Sequence, residues 1–159
     1  MKKFISLFFI SIFFFSTYAQ SKKEIKKYKI KSVSEMDISG GKTIYDSKKV
    51  FDINGEVIEE TSYDKFGKIK SIVQSKYNEV GDVIEEIEFE GKSKFKEKRI
   101  IKYNENKNKS EEEVFDEGGK LTKKHIYVYD SKGLKVERKT LDANGKLKST
   151  KKFNYELIN

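Results

Sequence analysis

The sequence has no cysteine. That excludes disulfides, thiolate metal sites and acylation at a lipobox cysteine. It has one histidine, His125; a histidine-based general acid or metal site would need partners at ligand spacing, and none stands near it in the chain. No phosphate-binding glycine loop and no nucleophile elbow is present. Hydrophobic residues make up 36% of the chain, and many of them are spent in the first fifteen positions. The longest nearly unbroken apolar stretch, Phe4 to Phe15 with Ser6 and Ser11 inside it, has 12 residues, short of the ~20 a helix needs to span a bilayer.

That run is preceded by Lys2 and Lys3 and followed by the small-residue stretch Ser16-Thr17-Tyr18-Ala19. Basic flank, apolar stretch and small residues in that order are the pattern of a cleavable signal peptide. The predicted cut follows Ala19, so the mature chain begins at Gln20 with no transmembrane segment. The expected location is secreted or periplasmic, and an exported chain without disulfides points to a bacterial source. Residues 1–19 are thus a signal peptide, 20–35 a lead-in with room for one strand, and 36–159 the body of the protein.

The body is repetitive. An aromatic residue, then Asp or Asn, two further residues and Gly recur at Phe51-Asp52-Ile53-Asn54-Gly55, Tyr63-Asp64-Lys65-Phe66-Gly67 and Tyr77-Asn78-Glu79-Val80-Gly81. They recur again at Phe115-Asp116-Glu117-Gly118-Gly119 and Tyr129-Asp130-Ser131-Lys132-Gly133, and with Leu leading at Leu141-Asp142-Ala143-Asn144-Gly145. Tyr103-Asn104-Glu105-Asn106-Lys107 and Phe89-Glu90-Gly91 are degenerate copies, and Met36-Asp37-Ile38-Ser39-Gly40 reads as an early one. The lead positions 51, 63, 77, 89, 103, 115, 129, 141 and 155 are separated alternately by 12 and 14, a 26-residue double repeat. Such a period is the mark of a repeat architecture.

Asp or Asn opens a type I turn, and Gly supplies the positive φ that follows it. A type I turn closed by a left-handed residue is a common hairpin loop with a bulge. The segments between turns, rich in Ile, Val, Thr, Tyr and Phe, read as strands. The predicted fold is all-β: an antiparallel meander of repeated hairpins forming one elongated, curled or single-layer sheet. In such loops each lead residue pairs with the residue six later. The predicted pairs are Phe51/Val57, Tyr63/Ile69, Tyr77/Val83, Phe89/Phe95, Phe115/Leu121 and Leu141/Leu147, apolar on both sides, with Tyr103/Lys109 and Tyr129/Lys135 the exceptions.

Charge follows the same alternation. The four 12-residue units hold fifteen Asp/Glu and six Lys/Arg; the four 14-residue units hold six and seventeen. An acidic strand with Asp82, Glu85, Glu86 and Glu88 is expected to face a basic one with Lys94, Lys96, Lys98 and Arg99, because opposite charges across strands stabilise a sheet. One face is expected to carry Ser71, Ser75, Glu85 and Glu97, and the other a thin apolar set of Ile58, Ile72, Ile84, Ile100, Ile126 and Val136. The last short unit departs from the rule with Lys132, Lys135, Arg138 and Lys139.

The units at 63–69 and 129–134 resemble YD repeats, the β-hairpin repeats of RHS-type proteins, and the MORN-like repeats of secreted bacterial proteins. The resemblance covers about 36–155. Lys68, Lys120 and Lys146 stand where the YD family usually has Arg after Gly, and the 12/14 alternation is also a departure. The resemblance implies a hairpin fold and a surface or periplasmic setting, and it carries over no catalytic residue.

The remaining candidates for chemistry read as structure. His125 reads as a strand residue beside Tyr127. Glu59-Glu60, Glu85-Glu86 and Glu111-Glu112-Glu113 could mimic a glycosidase dyad, but adjacent strand residues point to opposite faces. Each Asp-x-x-Gly turn offers one carboxylate, too few for calcium. No enzyme activity, cofactor or metal is expected. The net charge of +8 falls to about +6 without Lys2 and Lys3, and an exported chain seldom meets nucleic acid. Lys148, Lys151 and Lys152 are the candidate site, a basic surface for an acidic macromolecule: envelope polysaccharide, anionic lipid headgroups or an acidic protein. The expected function is a non-catalytic binding or scaffold module. The alternative is an inhibitor or immunity-type protein that neutralises a toxin or protease.

Overall fold

The computed structural model describes residues 21–156; the predicted signal peptide lies outside the described residues. A short helix, α1 (Lys22–Tyr28), precedes ten strands: β1 (Ser32–Ser39), β2 (Lys42–Phe51), β3 (Val57–Tyr63), β4 (Ile69–Tyr77) and β5 (Val83–Glu90), then β6 (Lys94–Tyr103), β7 (Lys109–Phe115), β8 (Leu121–Tyr129), β9 (Lys135–Asp142) and β10 (Leu147–Lys152). The strands form one sheet in sequence order, each pairing antiparallel with the next. The all-β meander is therefore the fold.

Seven turns share one geometry. At Asp52, Asp64, Asn78, Asn104, Asp116, Asp130 and Asp142 the backbone carbonyl accepts from the N–H three residues on, and the backbone N–H donates to the carbonyl four residues on, all at 2.8–3.1 Å. Each side-chain Oδ1 also accepts from the N–H four residues on, at 2.8–3.0 Å. For Asp64 these backbone bonds, from Lys68 and Phe66, hold the carboxyl below its ordinary value. All eight lead pairs form in the expected register, from Phe51↔Val57 to Leu141↔Leu147.

Beside every lead pair the register shifts by one residue. This bulge re-sorts the faces. Ser75 stands opposite Glu86, and Lys76 opposite Glu85, so Glu85 falls on the face away from Ser71 and Ser75. Ile58, Ile84 and Val136 are the unpaired bulge residues, which removes them from the regular apolar row expected with Ile72, Ile100 and Ile126. Simple alternation fails at the point where the backbone adds a residue.

Two differences lie near the N-terminus. Met36–Gly40 is not a copy of the turn: Asp37 pairs with Ile44 inside β1, and the hairpin closes on Gly40 and Gly41, both at positive φ, the requirement of a two-residue type I′ turn. The lead-in carries a helix as well as the start of β1. Ser21 caps α1: its Oγ accepts from the Glu24 N–H, while the Glu24 carboxylate accepts from the Ser21 N–H at 3.0 Å, a capping box. Ile25, 2% exposed, anchors the helix. α1 packs on the turns at 52–55 and 78–81: a Cβ on Gly55 would meet the Lys22 carbonyl oxygen at 3.1 Å, and the Lys22 ammonium pairs with Glu56.

Burial is sparse, as the composition requires. Among the described residues Ile25, Ile101, Val114 and Thr61 are buried. Ile101 and Val114 share a face, opposite Glu112 and Arg99 respectively; each buried side chain contributes roughly 1.5–3 kcal/mol. Cohesion otherwise passes between neighbouring strands, as in repeat proteins. One device recurs at the period. Tyr77, Tyr103, Tyr129 and Tyr155 donate their hydroxyls to the carbonyls of Val57, Val83, Lys109 and Lys135, each twenty residues earlier, at 2.8–2.9 Å. These phenols latch the ends of the even-numbered strands to the starts of the strands before them.

Candidate functional site

The charges of the central strands are matched. Glu85 lies 2.8 Å from both Lys76 and Lys98, and hydrogen bonds from these two ammonium groups hold its carboxyl below the ordinary value. Arg99 reaches Glu86 at 3.3 Å and Glu88 at 2.9 Å and also pairs with Glu97. Lys96 meets Glu88 at 2.7 Å and Lys94 meets Glu90 at 2.6 Å. The expected facing of the acidic strand at 83–90 by the basic strand at 94–103 is present, with Glu86 opposite Arg99 and Glu90 opposite Lys94 in register and the other ion pairs diagonal, while Glu88 stands opposite Glu97. The pattern repeats one period on, where Glu111 and Glu113 sit between Lys102 and Lys124.

The C-terminal end departs from this. β9 carries Arg138 where β5 and β7 carry Glu86 and Glu112, and Lys139 where β7 carries Glu113, and β10 lies beyond it as an outermost strand among the described residues. All six β10 residues are exposed. Lys148 approaches Asp142 at 4.0 Å, the limit of an ion pair. Among the described residues no carboxylate comes within 4 Å of Lys151 or Lys152. Lys151 pairs with Arg138 and Lys152 with Glu137, so these neighbours stand on opposite faces. Lys148 is the bulge residue between Leu147 and Ser149. The three predicted lysines therefore do not form a patch on one face; what they share is the strand edge.

Behind that edge lies a cluster that the sequence reading did not assemble. The Lys135 ammonium stands 5.4 Å from the Tyr127 ring centre and 5.0 Å from that of Phe153, and Lys151 stands 5.5 Å from Phe153. These are cation–π distances. Glu112 accepts from Lys109 at 3.0 Å and from the Tyr127 hydroxyl at 3.1 Å. Burial, with Glu112 beside it, pushes the Tyr127 phenol up to about 12. Burial opposes ionisation of Glu112, yet Lys109 and Tyr127 hold its carboxyl below the ordinary value. The Arg138 Nε is buried and has no hydrogen-bond partner among the described residues. Tyr127 and Arg138 are cross-strand partners, a pairing visible once the bulge is placed.

His125 faces Glu112 on one side and Thr140 on the other, an order suggestive of nucleophile, base and carboxylate. The bonding is different. His125 Nδ1 lies 3.0 Å from Thr140 Oγ1, while the Glu112 carboxylate is taken up by Lys109 and Tyr127. Burial lowers the imidazole below its ordinary value. The histidine is a neutral strand residue in a hydrogen-bonded row. No group of three or more His, Asp or Glu side chains poised for a metal occurs among the described residues. Beside α1 a shallow groove of about 530 Å³ is lined by Lys22, Lys26, Glu56, Tyr77 and Asn78 among others, and its lysine and glutamate already pair across it.

No protein-family model and no curated protein matches the chain. Among solved structures it is similar to a protein of unknown function from Bacteroides fragilis, with 13% identity, 80% of this chain and 96% of that one covered, and a TM-score of 0.41. It is also similar to TarM, with 20% identity, 79% and 22% covered, and a TM-score of 0.34. A point mutant of S. aureus TarM in complex with fondaparinux, α-GlcNAc-glycerol and UDP aligns at 18% identity over 82% of this chain and 21% of that one, with a TM-score of 0.25. The chain spans about a fifth of the length of TarM.

Proposed function

We propose that the protein is an exported, non-catalytic binding or scaffold module whose C-terminal basic edge holds an acidic macromolecule. One observation carries this reading: the bases of β6 and β8 are matched by carboxylates on strands one or two places away, whereas Lys151 and Lys152 on β10 meet none within 4 Å among the described residues. Exposed, unmatched cations raise the local concentration of anionic partners and bind them in a salt-dependent way. The test is retention of the exported protein on immobilised polyglutamate across a salt gradient. Reversing Lys148, Lys151 and Lys152 to Glu is expected to bring elution to markedly lower salt. Unchanged elution would overturn the assignment of the edge as the site.

A further inference from the structure

The two outer strands of the sheet are chemically complementary. β1, SVSEMDIS, carries Glu35 and Asp37 and no base; β10, LKSTKK, carries Lys148, Lys151 and Lys152 and no acid. Among the described residues neither has a second neighbour. β1 also exposes Val33, Met36 and Ile38, the last 75% exposed. An edge with unpaired N–H and C=O groups is a template for another strand. α1 does not cover it, because the helix folds over the turns at 52–55 and 78–81.

We infer that the acidic partner of β10 is β1 of a second copy, so that chains add end to end into one continuous sheet; this rests on the proposed reading of β10 as a binding edge. Three features support it. The described residues form ten strands, so a second β1 runs antiparallel to β10 and presents the same faces. The 26-residue step also supplies a register, although β1 is not itself a copy of the repeat and shifts its pairing with β2 between Glu35 and Met36. Gln74↔Ile87, Ile100↔Glu113 and Ile126↔Lys139 are equivalent rungs one period apart. The next rung begins at Lys152 and falls, by the same 26-residue step, on Glu35. Asp37 then faces Thr150, with Lys148 and Lys152 to either side. Finally, pairing β1 with β1 or β10 with β10 sets like charges together and is disfavoured. A contact between two different edges is heterologous and extends into a filament unless its rotation closes a ring.

Sedimentation velocity of the exported protein over a concentration series, at low and high salt, tests this. The wild type is expected to gain mass with concentration and to lose it with salt. Glu35→Lys with Asp37→Lys, and separately Lys148→Glu, Lys151→Glu and Lys152→Glu, are each expected to give monomers, at concentrations at least tenfold above those at which the wild type assembles. Mixing the two variants pairs a doubly basic chain with a doubly acidic one and is expected to restore assembly, which also shows that both are folded. A wild type that stays monomeric at the highest concentration reached, or variants that assemble as it does, overturns the inference. If the monomer is still retained on polyglutamate, self-assembly alone has failed; if it is not, the binding reading has failed with it.

Discussion

At position 107 a lysine does what glycine does in most of the other turns. Lys107 sits at φ 60 and donates its N–H to the Asn104 carbonyl at 2.9 Å, just as Gly67, at φ 74, donates to Asp64 at 2.8 Å. The left-handed region costs a residue with a Cβ about 1–2 kcal/mol, so Asn104 and the flanking strands hold Lys107 in strain. Lys107→Gly is expected to stabilise the protein by about 0.5–1 kcal/mol, the relief being partly offset by the greater freedom of glycine in the unfolded chain. Nothing packs within 4 Å of a Cβ built on Gly67, so Gly67→Val is expected to destabilise through φ alone. Urea midpoints moving in opposite directions for the two variants would confirm this, and a Lys107→Gly variant no more stable than wild type would contradict it.

Each hairpin was legible in the sequence because its determinants are local. Asp or Asn and the residue three later fix the turn, and the lead pair fixes the register, so all eight pairs could be written down in advance. The faces beyond the lead pair were not legible, because a bulge is one residue of backbone that no side chain announces. α1 is marked in the sequence by the capping box Ser21-Lys22-Lys23-Glu24, but at seven residues it is too short to show a helical period. The tyrosine latches were also within reach. The lead positions 51, 77, 103, 129 and 155 carry Phe and then four Tyr, while 63, 89, 115 and 141 carry Tyr, Phe, Phe and Leu, so the hydroxyl is kept from 77 onward in the first class and lost after 63 in the second. Tyr103→Phe is expected to cost about 1 kcal/mol, the net value of one hydrogen bond. The latches also set an alkaline limit. Burial raises Tyr77, Tyr103 and Tyr129 above the ordinary phenol value of 10.0, and Tyr127 rises to about 12. A raised phenol keeps its proton in the folded state while the unfolded chain gives it up. Stability is therefore full below about pH 10 and falls as pH climbs through the folded values. A stability profile flat from pH 9 to pH 12 would refute the latch account.

Across the whole molecule, alternation of charge does the work that a thick core does in a globular domain. Apolar burial is confined to a few side chains, so the neighbouring-strand ion pairs and backbone ladders carry a larger share of the cohesion. Individually the pairs are weak, roughly 0.2–1 kcal/mol each when exposed, but they recur in register from β4 to β8. The same arrangement explains why the basic residues of β6 are poor candidates for a ligand: Lys94, Lys96 and Lys98 are already 2.6–2.8 Å from Glu90, Glu88 and Glu85. Reversing all three to Glu replaces three attractions by three repulsions against an acidic strand, a loss of roughly 2 kcal/mol. For a chain of this size that amounts to a melting temperature lower by about 6 °C, and 1 M salt should shrink the difference because exposed charges are screened. Retention on polyglutamate should change much less than it does for the β10 reversal. If the β6 reversal left the melting temperature unchanged and abolished retention instead, those lysines would be the binding surface, and the division of labour between a matched interior and an unmatched C-terminal edge would be wrong.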